Sequence, residues 1–439
     1  TLKKTIVLPY LKEKPDIFTL KSAQHWDDFI GERQPVELDY EQVPFDHPLW
    51  VLYSSGTTGL PKAIVQGHGG IILEHLKKSL LHTDLKEDDR FFWFTTTGWM
   101  MWNVVVGSLL ARSTILLYDG NPSYPNLDTM WEFAENTGMT VFGTSASYLL
   151  MCMNNNLKPK DKFDLSKLKS IMSTGSPLPP EGFQWVYENV GDDIWLASAS
   201  GGTDLCTAFV TGSPILPVHA GVVQGRALGA KVQAFDEEGN AVINEVGELV
   251  VSEPMPSMPI YFWNDHDGKR YYESYFDTYP GVWRHGDWIK IRSDGSCQIY
   301  GRSDSTINRG GIRMGTSEIY RAVESVAGIS DSLVVDVSNE KGKAYMPLFV
   351  VLDDEVELND PLKTEINKRI RENCSPRHVP NDIYQIEEVP RTLNGKKLEV
   401  PIKKLLMGFP VEKAVNKGSM SNPHTIDFFL DFAKNFSID

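Results

Sequence analysis

The chain has 439 residues, of which 41% are hydrophobic and 23% are charged, the composition of a globular protein long enough for two or three domains. Its 58 acidic and 43 basic residues give a formal net charge of −15, which argues against a nucleic-acid backbone or an anionic membrane as the main partner. The four cysteines form no CxxC pair, so neither a disulfide framework nor a zinc site is indicated. Because the longest apolar stretch is too short to span a bilayer and no signal peptide is evident, we expect a cytoplasmic protein without membrane insertion.

The first chemical signal along the chain is the segment Tyr53–Lys62, which reads Tyr-Ser-Ser-Gly-Thr-Thr-Gly-Leu-Pro-Lys. Apolar runs on both sides, Leu49–Tyr53 and Ala63–Val65, predict a strand–loop–strand arrangement. Glycines let backbone N–H groups approach an anion closely and the hydroxyl groups add donors, so the loop suits the phosphates of a nucleotide. It is not a Walker P-loop, because Pro61 precedes the lysine. Considered alone, a Ser/Gly-rich loop is more often a plain surface turn.

Between Trp50 and Ser200, short β-rich runs alternate with segments that have a helical spacing of apolar residues. This alternation predicts a largely parallel sheet covered by helices. The β-rich runs are Phe91–Thr97, Thr114–Tyr118, Thr140–Gly143, Lys169–Thr174 and Ile194–Ser200, and the helical segments are Gly70–His82, Asp128–Asn136 and Pro180–Val190.

The pattern changes in the second half of the chain. From Pro214 to Arg302, turn sequences such as Asp236–Asn240 separate short strands and predict a small antiparallel β subdomain. After it comes a compact α+β pattern, with helices expected at Ser317–Ala327 and Leu362–Asn373. We therefore predict a portion of a large α/β domain, a β-rich subdomain and a small C-terminal α+β domain, over residues 1–213, 214–303 and 304–439. Whether the final segment is docked or disordered is left open.

Two further segments carry residues suited to nucleotide chemistry. Asp204 follows the run Ile194–Ser200, at the predicted carboxyl end of a parallel strand, where ligands usually bind. Its carboxylate is a hard oxygen ligand suited to Mg²⁺. Asp287 ends the segment Trp283–Asp287, just before another predicted strand. Either residue taken alone is more often a turn or helix-cap residue.

Three motifs together resemble the phosphate loop, the domain hinge and the lysine loop of the adenylate-forming superfamily, which includes acyl-CoA synthetases, adenylation domains and luciferases. They are Tyr53–Lys62, Gly301–Glu318 and Pro390–Lys396, in the family's order. The resemblance implies an α/β adenylate-forming fold, with a parallel sheet covered by helices, a small β subdomain and a small mobile α+β C-terminal domain. It also implies an AMP-forming acid–thiol ligase that uses ATP, Mg²⁺ and coenzyme A.

The resemblance assigns three residues to the chemical step. Lys396 would bridge the substrate carboxylate and the α-phosphate, where a mobile ammonium can follow the developing negative charge. Thr58 would act from the phosphate loop, and Arg313 would meet the α-phosphate. Lys397 is adjacent, but its spacing from Pro390-Arg391-Thr392 is less consistent with the family motif.

The same resemblance implies contacts to the nucleotide, to the metal and to coenzyme A. The expected nucleotide-binding and metal-binding residues are Ser54, Ser55, Gly56, Thr57, Thr58, Gly59, Lys62, Gly175, Ser176, Pro177, Thr203, Asp204, Asp287, Arg302 and Arg313, with Asp204 as the Mg²⁺ ligand. Gly311 would line the pantetheine tunnel, Arg371 would contact the CoA nucleotide, and Asp304 would be the hinge. The family has Glu at position 204, and it often has Thr where this chain has His285, to which we assign no catalytic role.

The acyl pocket is expected to hold a short acid. The acetate-activating relatives have a Trp where this chain has Gly201, and loss of an indole would open volume for a longer or more polar acyl group. The expected substrate contacts are Trp99, Met100, Met101, Thr174 and Gly201. The wider resemblance is to family members that use acetoacetate, and it implies a role in passing ketone bodies into lipid synthesis. Pocket volume alone does not select acetoacetate over butyrate or another short acid.

The phosphate loop begins near residue 53, whereas the family has a long stretch before it. We therefore expect the chain to lack the N-terminal part of the family's large domain. Two alternatives stay open: another short-chain acyl-CoA synthetase, and a catalytically silent nucleotide-binding fragment. A module that loads a carrier-protein thiol is disfavoured, because no carrier-like segment follows Lys396. The sequence does not indicate an oligomeric state.

Overall fold

The structure is a computed structural model of the chain, which separates into two compact units, Thr1–Val43 and Pro44–Asp439. The structure describes residues 2–31, 37–54, 61–303, 307–309, 312–314, 316–338, 344–392 and 395–436. Within these ranges no helix combines the length and the apolar character needed to cross a bilayer. In the first unit, strands β1 (Thr5–Val7) and β2 (Ala23–His25) pair in parallel and helix α1 covers Trp26–Ile30.

The second unit begins with the antiparallel strands β3 (Pro48–Ser54) and β4 (Lys62–Gly67). They flank the predicted phosphate loop, so the expected strands on both of its sides are confirmed. Strand β4 leads directly into helix α2 (His68–Lys77), which continues as a π-helical segment over Lys78–His82. This arrangement holds both ends of the phosphate loop in regular structure.

A five-stranded parallel sheet follows, with the strand order β6-β5-β7-β8-β9. Its elements in chain order are β5 (Arg90–Trp93), α3 (Met101–Gly107), β6 (Thr114–Leu116), α4 (Thr129–Thr137), β7 (Val141–Ser145), α5 (Ala146–Asn154), β8 (Ser170–Thr174), α6 (Pro180–Asn189) and β9 (Trp195–Ser198). The predicted parallel sheet covered by helices is confirmed.

Both faces of this sheet are buried under helices. Neighbouring residues of each strand point to opposite faces, so each strand contributes apolar side chains to both. The residues of the first face, which pack with those of α4, α5 and α6, are Phe92, Phe142, Ile171 and Leu196. The residues of the second face, which pack with α3, are Phe91, Val141, Met172 and Ala197. Polar groups are therefore concentrated at the carboxyl ends of the strands.

The next region is built mainly from antiparallel strands. Its elements are β10 (Ser200–Gly202), β11 (Thr207–Thr211), β12 (Gly225–Arg226), β13 (Val232–Phe235), β14 (Ala241–Val242), β15 (Val246–Val251), β16 (Tyr261–Phe262), α7 (Lys269–Tyr275), β17 (Trp283–Ile291) and β18 (Cys297–Arg302). Five strands form one sheet in the order β14-β13-β15-β17-β18, and β16 pairs with β4. The predicted β region is confirmed, but the sequence pattern missed helix α7.

The last region has the expected α+β pattern. Its elements are β19 (Ile307–Arg309), β20 (Ile312–Met314), α8 (Thr316–Glu324), β21 (Ile329–Val334), β22 (Val337–Ser338), β23 (Ala344–Tyr345), β24 (Pro347–Leu352), α9 (Asp360–Asn373), β25 (Asp382–Gln385), α10 (Glu399–Leu406), α11 (Val411–Ala414) and α12 (Thr425–Asn435). Helices α8 and α9 pack on one face of the β21-β24-β25 sheet, and α10 and α12 pack on the other. The predicted boundaries after residues 213 and 303 stay a prediction.

Helix α12 settles the question left open for the end of the chain, because it is docked. Ile426 and Phe429 lie in the same apolar cluster as Phe349 of β24. The rings of Phe349 and Phe429 have centroids 5.0 Å apart in an edge-on arrangement, which is favourable for aromatic pairs.

Truncation of Phe429 should therefore destabilise the protein far more than truncation of its neighbour. Phe429 is 1% exposed and Phe428 is 42% exposed, and removal of a buried Phe side chain costs about 3–5 kcal/mol. We expect Phe429→Ala to lower the free energy of unfolding by that amount in a denaturant titration, and Phe428→Ala to lower it by less than half as much. Equal losses would mean that α12 is not packed through Phe429.

Candidate active site

The carboxyl ends of β8 and β9 present polar groups side by side. Ser173 and Ser198 are partners in the parallel register, and both hydroxyl oxygens are buried without a hydrogen-bond partner among the described residues. The Thr174 hydroxyl donates to the carbonyl of Ala199 at 2.8 Å. Sequence reasoning did not select the two serines, although their positions at strand ends were a usable signal.

The predicted nucleotide-binding residues Gly175, Ser176 and Pro177 continue directly from β8. Gly175 has φ +94°, a left-handed conformation that favours glycine, and it turns the chain away from the sheet. Ser176 and Pro177 are exposed after this turn. The segment is thus an accessible surface at the polar edge of the sheet, as binding of a flat base would require.

A buried carboxylate forms the centre of the site. Asp204 is 7% exposed and its Oδ1 atom lies 2.5 Å from the Nζ atom of Lys62, the first residue of β4. The Tyr275 hydroxyl donates to the same oxygen. Burial raises the pKa of Asp204, but the charges and hydrogen bonds around it, chiefly those of Lys62, together outweigh burial, so the pKa is held below its ordinary range and the group is ionised.

Tyr275 is a site residue that the sequence analysis missed. It ends helix α7, and its ring stacks on Trp283 with centroids 3.5 Å apart and planes 14° from parallel. The Lys62 ammonium lies 4.7 Å from the centre of the same ring, within the range of a cation–π contact. The spacing of Tyr271 and Tyr275 on one helical face was the available signal, but the segment lay in a region interpreted as β.

Two of the predicted nucleotide-binding residues, Asp287 and Arg302, meet at the start of the β17–β18 pair. Asp287 and Arg302 are directly opposite in the register, and Arg302 Nη1 lies 3.4 Å from Asp287 Oδ1. Gly286 has φ +90°, and a Cβ atom there would lie 2.8 Å from a guanidinium nitrogen of Arg302. Glycine is therefore needed to seat the arginine beside the carboxylate.

His285 lies inside the site rather than at its surface. The centroids of its ring and the Phe209 ring are 4.3 Å apart, and its Nε2 atom is 3.5 Å from Oδ2 of Asp287. Burial lowers the pKa of His285, although Asp287 opposes the change. The imidazole is thus neutral at physiological pH and acts as packing beside the carboxylates.

Lys396 brings the C-terminal region to the same carboxylates. Lys396 lies on an exposed loop. Desolvation of its ammonium and the charge of Arg302 lower the pKa of Lys396, while Asp287 and Asp204 act in the opposite direction. Charges from β18, β17 and the turn before β11 therefore all act on this one ammonium.

The neighbouring lysine has a different environment. Lys397 Nζ lies 2.6 Å from Glu324 and 2.9 Å from Asp331, and it lies over the ring of Tyr320 at 3.8 Å. Its charge is therefore already compensated within the C-terminal region. The contrast favours Lys396 as the lysine that faces a substrate.

Arg391 braces the loop that carries Lys396. Its guanidinium donates to Asp331 at 2.6 Å and to the carbonyl of Gly395 at 2.6 Å. One side chain thus ties the loop to strand β21. Sequence reasoning missed this contact, because Asp331 is 60 residues away along the chain.

Several predicted site residues are not described by the structure. Those outside the described ranges are Ser55, Gly56, Thr57, Thr58, Gly59, Asp304 and Gly311. Arg313 belongs to β20, but only its backbone is described. Ser54, the last residue of β3, pairs with Lys62, and its hydroxyl oxygen is buried without a partner among the described residues, as a phosphate-loop donor would be. Thr203 lies in the turn directly before Asp204.

The expected substrate wall is only partly exposed. Met101 begins α3 and is 5% exposed within the core on the second face of the sheet, while Trp99 and Met100 pack on that core and are half-buried. Trp99 and Met100 are therefore better placed than Met101 to meet a ligand. Arg371 is exposed near the end of α9, and no contact among the described residues links it to the Asp204 cluster.

Gly201 lies where two paired strands approach each other closely. A Cβ atom on Gly201 would lie 2.2 Å from the carbonyl oxygen of Thr207 and 2.9 Å from the Cα atom of Ala208. Glycine is needed here because β10 and β11 approach closely at a register shift. A larger side chain at this position would require the backbone to move first, and the expectation that Gly201 opens volume for the acyl group stays a prediction.

Comparison with known proteins agrees with this geometry. The family model described as AMP-binding enzyme matches residues 3–262, and the model of the AMP-binding enzyme C-terminal domain matches residues 318–396. The chain belongs to the AMP-binding enzyme family. The family's two matched parts contain Asp204 and Lys396 respectively, and the charge of Asp204 acts on the pKa of Lys396.

Three of the similar proteins share one description. The solved structure of acetoacetyl-CoA synthetase from Streptomyces lividans has a TM-score of 0.92 and 51% identity, over 99% of this chain and 66% of that one. Acetoacetyl-coenzyme A synthetase of Rhizobium meliloti is 43% identical over 97% of this chain and 65% of its own length. Acetoacetyl-CoA synthetase of Xenopus tropicalis is 40% identical over 98% and 64%. The chain thus spans slightly less than two thirds of the length of these relatives.

A small substitution at Gly201 distinguishes the close-approach explanation from the pocket explanation. We expect Gly201→Ala to lower the free energy of unfolding by about 1–3 kcal/mol, the usual cost of overpacking. The matched control is Gly98→Ala, because Gly98 is also exposed and its nearest atom would be 3.8 Å away; it should change stability by less than about 0.5 kcal/mol. Unchanged stability of Gly201→Ala would favour the pocket explanation.

Proposed function

We propose that this chain acts as an acetoacetate–CoA ligase, which converts ATP, acetoacetate and coenzyme A to acetoacetyl-CoA, AMP and pyrophosphate. The proposal is supported by the electrostatics of Lys396, whose ammonium interacts with the charges of Arg302, Asp287 and Asp204. The choice of acid is supported by the shared description of the relatives and not by the pocket residues.

The first half-reaction needs a positive charge close to the α-phosphate. A carboxylate oxygen attacks the α-phosphorus, the bond to pyrophosphate breaks, and negative charge accumulates on the oxygens around phosphorus. Lys396 supplies a positive charge at that point, in a site where desolvation strengthens electrostatic stabilisation. Arg302 and Asp287 would hold the ribose, so the α-phosphate would be positioned relative to Lys396.

Lys62, Ser54 and the segment Thr174–Pro177 would hold the rest of the nucleotide. In the second half-reaction the thiol sulfur of coenzyme A would attack the acyl carbon and AMP would leave. Arg371 is the exposed cation assigned to the CoA nucleotide, Arg313 to the α-phosphate, and Gly311 to the pantetheine path. The alternation of the C-terminal domain between the two half-reactions is part of the proposal.

The described residues fit a magnesium ion held mainly by the nucleotide. They contain no cluster of three or more His, Cys, Asp or Glu side chains that could hold a metal. Mg²⁺ in nucleotide sites is commonly bound by one or two carboxylates together with phosphate oxygens and water. Asp204 offers one carboxylate, and the bound ion would neutralise phosphate charge. A cytosolic location completes the proposal.

The proposal is tested by acetoacetate-dependent exchange of pyrophosphate into ATP, followed by thioester formation with CoA. We expect acetoacetate to be preferred over acetate and butyrate. Lys396→Ala should lower exchange by ~10²–10³-fold, the usual effect of removing one transition-state charge contact. The exposed Lys413 provides a matched control, and Lys413→Ala should behave as the parent.

The outcomes separate the alternatives. Preference for another short acid would make the chain a different short-chain acyl-CoA synthetase. Binding of ATP without exchange for any acid would make it a catalytically silent nucleotide-binding chain. Exchange that survives Lys396→Ala would contradict the assignment of the lysine.

The adenylation rate should also depend on pH through Lys396. Because its pKa is lowered, the ammonium loses its proton, and the site its positive charge, at a pH below the ordinary lysine value of about 10.4. The exchange rate should therefore fall as pH rises through that lowered pKa. Lys396→Arg keeps its charge throughout, so its residual rate should lack this descending limb; a limb shared by both proteins would belong to another group.

A further inference from the structure

The segment after the lysine loop contacts that loop directly. The C-terminal family match ends at residue 396, so this segment lies beyond it. The Ser421 N–H donates to the carbonyl of Arg391 at 3.1 Å, and Met420 forms a β-bridge with Thr392. The segment therefore adds a short extra strand beside residues 391–392.

Asn422 strengthens this contact with its side chain. Its Oδ1 atom accepts from the Arg391 N–H at 2.9 Å, and its Nδ2 atom donates to the carbonyl of Val389 at 2.9 Å. The residue is 4% exposed, so water cannot readily replace either bond. One buried amide thus fixes two backbone groups of the strand that leads into the lysine loop.

The opposite edge of the same strand holds the lysine. The Thr392 N–H donates to the carbonyl of Lys396 at 2.9 Å, and the Lys396 N–H donates to the Thr392 hydroxyl at 3.1 Å. Arg391 also forms a β-bridge with Lys397. Residues 391–392 therefore lie between Asn422 on one side and Lys396 on the other.

Asn422 itself is fixed to the domain core. Its carbonyl accepts from the Thr425 hydroxyl at 2.7 Å and from the Thr425 N–H at 3.2 Å, at the start of helix α12. Ile426 and Phe429 of that helix are buried with residues of β24 and α10. The position of the amide is set by the core and does not merely follow the loop.

We propose that Asn422 is a positioning residue for Lys396, so that the segment following the lysine loop is part of the apparatus for adenylation. The inference rests on the proposed function for the role of Lys396. It predicts that loss of the amide impairs only the half-reaction that uses the lysine, because displacement of a catalytic group by about 1 Å can cost on the order of 10²-fold.

The test compares Asn422→Ala with Asn416→Ala in the full chain. Asn416 is exposed in the same segment and its side chain accepts from the Gly418 N–H at 3.0 Å, so Asn416→Ala makes the same substitution without removing a bond to residues 389–392. We expect Asn422→Ala to lower kcat for pyrophosphate exchange by about 10–100-fold with an unchanged KM for ATP. Thioester formation from supplied acetoacetyl-adenylate and CoA should be unaffected, and Asn416→Ala should resemble the parent in both half-reactions.

Hydrogen exchange provides a readout that does not depend on activity. Asn422→Ala should accelerate hydrogen exchange of the Thr392, Lys396 and Leu398 amides, and Asn416→Ala should not. Unchanged hydrogen-exchange rates, or equal losses of rate in both half-reactions, would overturn the inference and leave Asn422 a purely structural residue. If the parent chain shows no adenylation, the proposed function fails. The hydrogen-exchange rates of the backbone amides still decide whether Asn422 holds the loop.

Discussion

The buried carboxylate of Asp204 places a constraint on elements that are distant in sequence. An ion removed from water costs several kcal/mol unless charge and hydrogen bonds replace the hydration. Here β4 supplies the cation through Lys62, α7 supplies the hydroxyl of Tyr275, and the first residue of β17, Trp283, holds that phenol by stacking. The sheet that carries the phosphate loop and the antiparallel β region must therefore be assembled together for the charge to be tolerated.

The same constraint organises the two lysines of the C-terminal loop. Lys397 is neutralised locally by Glu324 and Asp331, which leaves Lys396 as the charge that faces Asp204 and Asp287 across the site. A lysine without such a neighbour could pair with the nearest acid in its own domain. By satisfying those acids with Lys397 and Arg391, the chain keeps Lys396 available for a charge that arrives with the substrate.

Much of the fold could be predicted because buried parallel strands are continuous apolar runs in the sequence. The run Lys169–Thr174 matches β8 within one residue, and the turn Asp236–Asn240 does join two antiparallel strands. The short helix α7 could not be found in this way, since a single two-turn helix within a β-rich region has little periodicity to detect.

The candidate site was likewise predictable only in part. Asp204, Asp287, Arg302 and Lys396 were identified from motifs, because each motif is local in sequence. The contacts that orient them are not local: Tyr275 is 71 residues from Asp204, and Asn422 is 31 residues from Arg391. The close approach at Gly201 could not be predicted for a related reason, since the atoms that would meet a side chain there belong to the paired strand and not to its own segment.

The order of synthesis follows from the strand that Ser421 and Asn422 add beside the lysine loop. Chains emerge from the ribosome with the N-terminal part first, so Lys396 appears before the residues that hold its loop. Until helix α12 has also emerged, the apolar face around Phe349 lacks its cover. The contacts that Asn422 makes with the strand before the lysine loop therefore cannot form until that later segment has been synthesised.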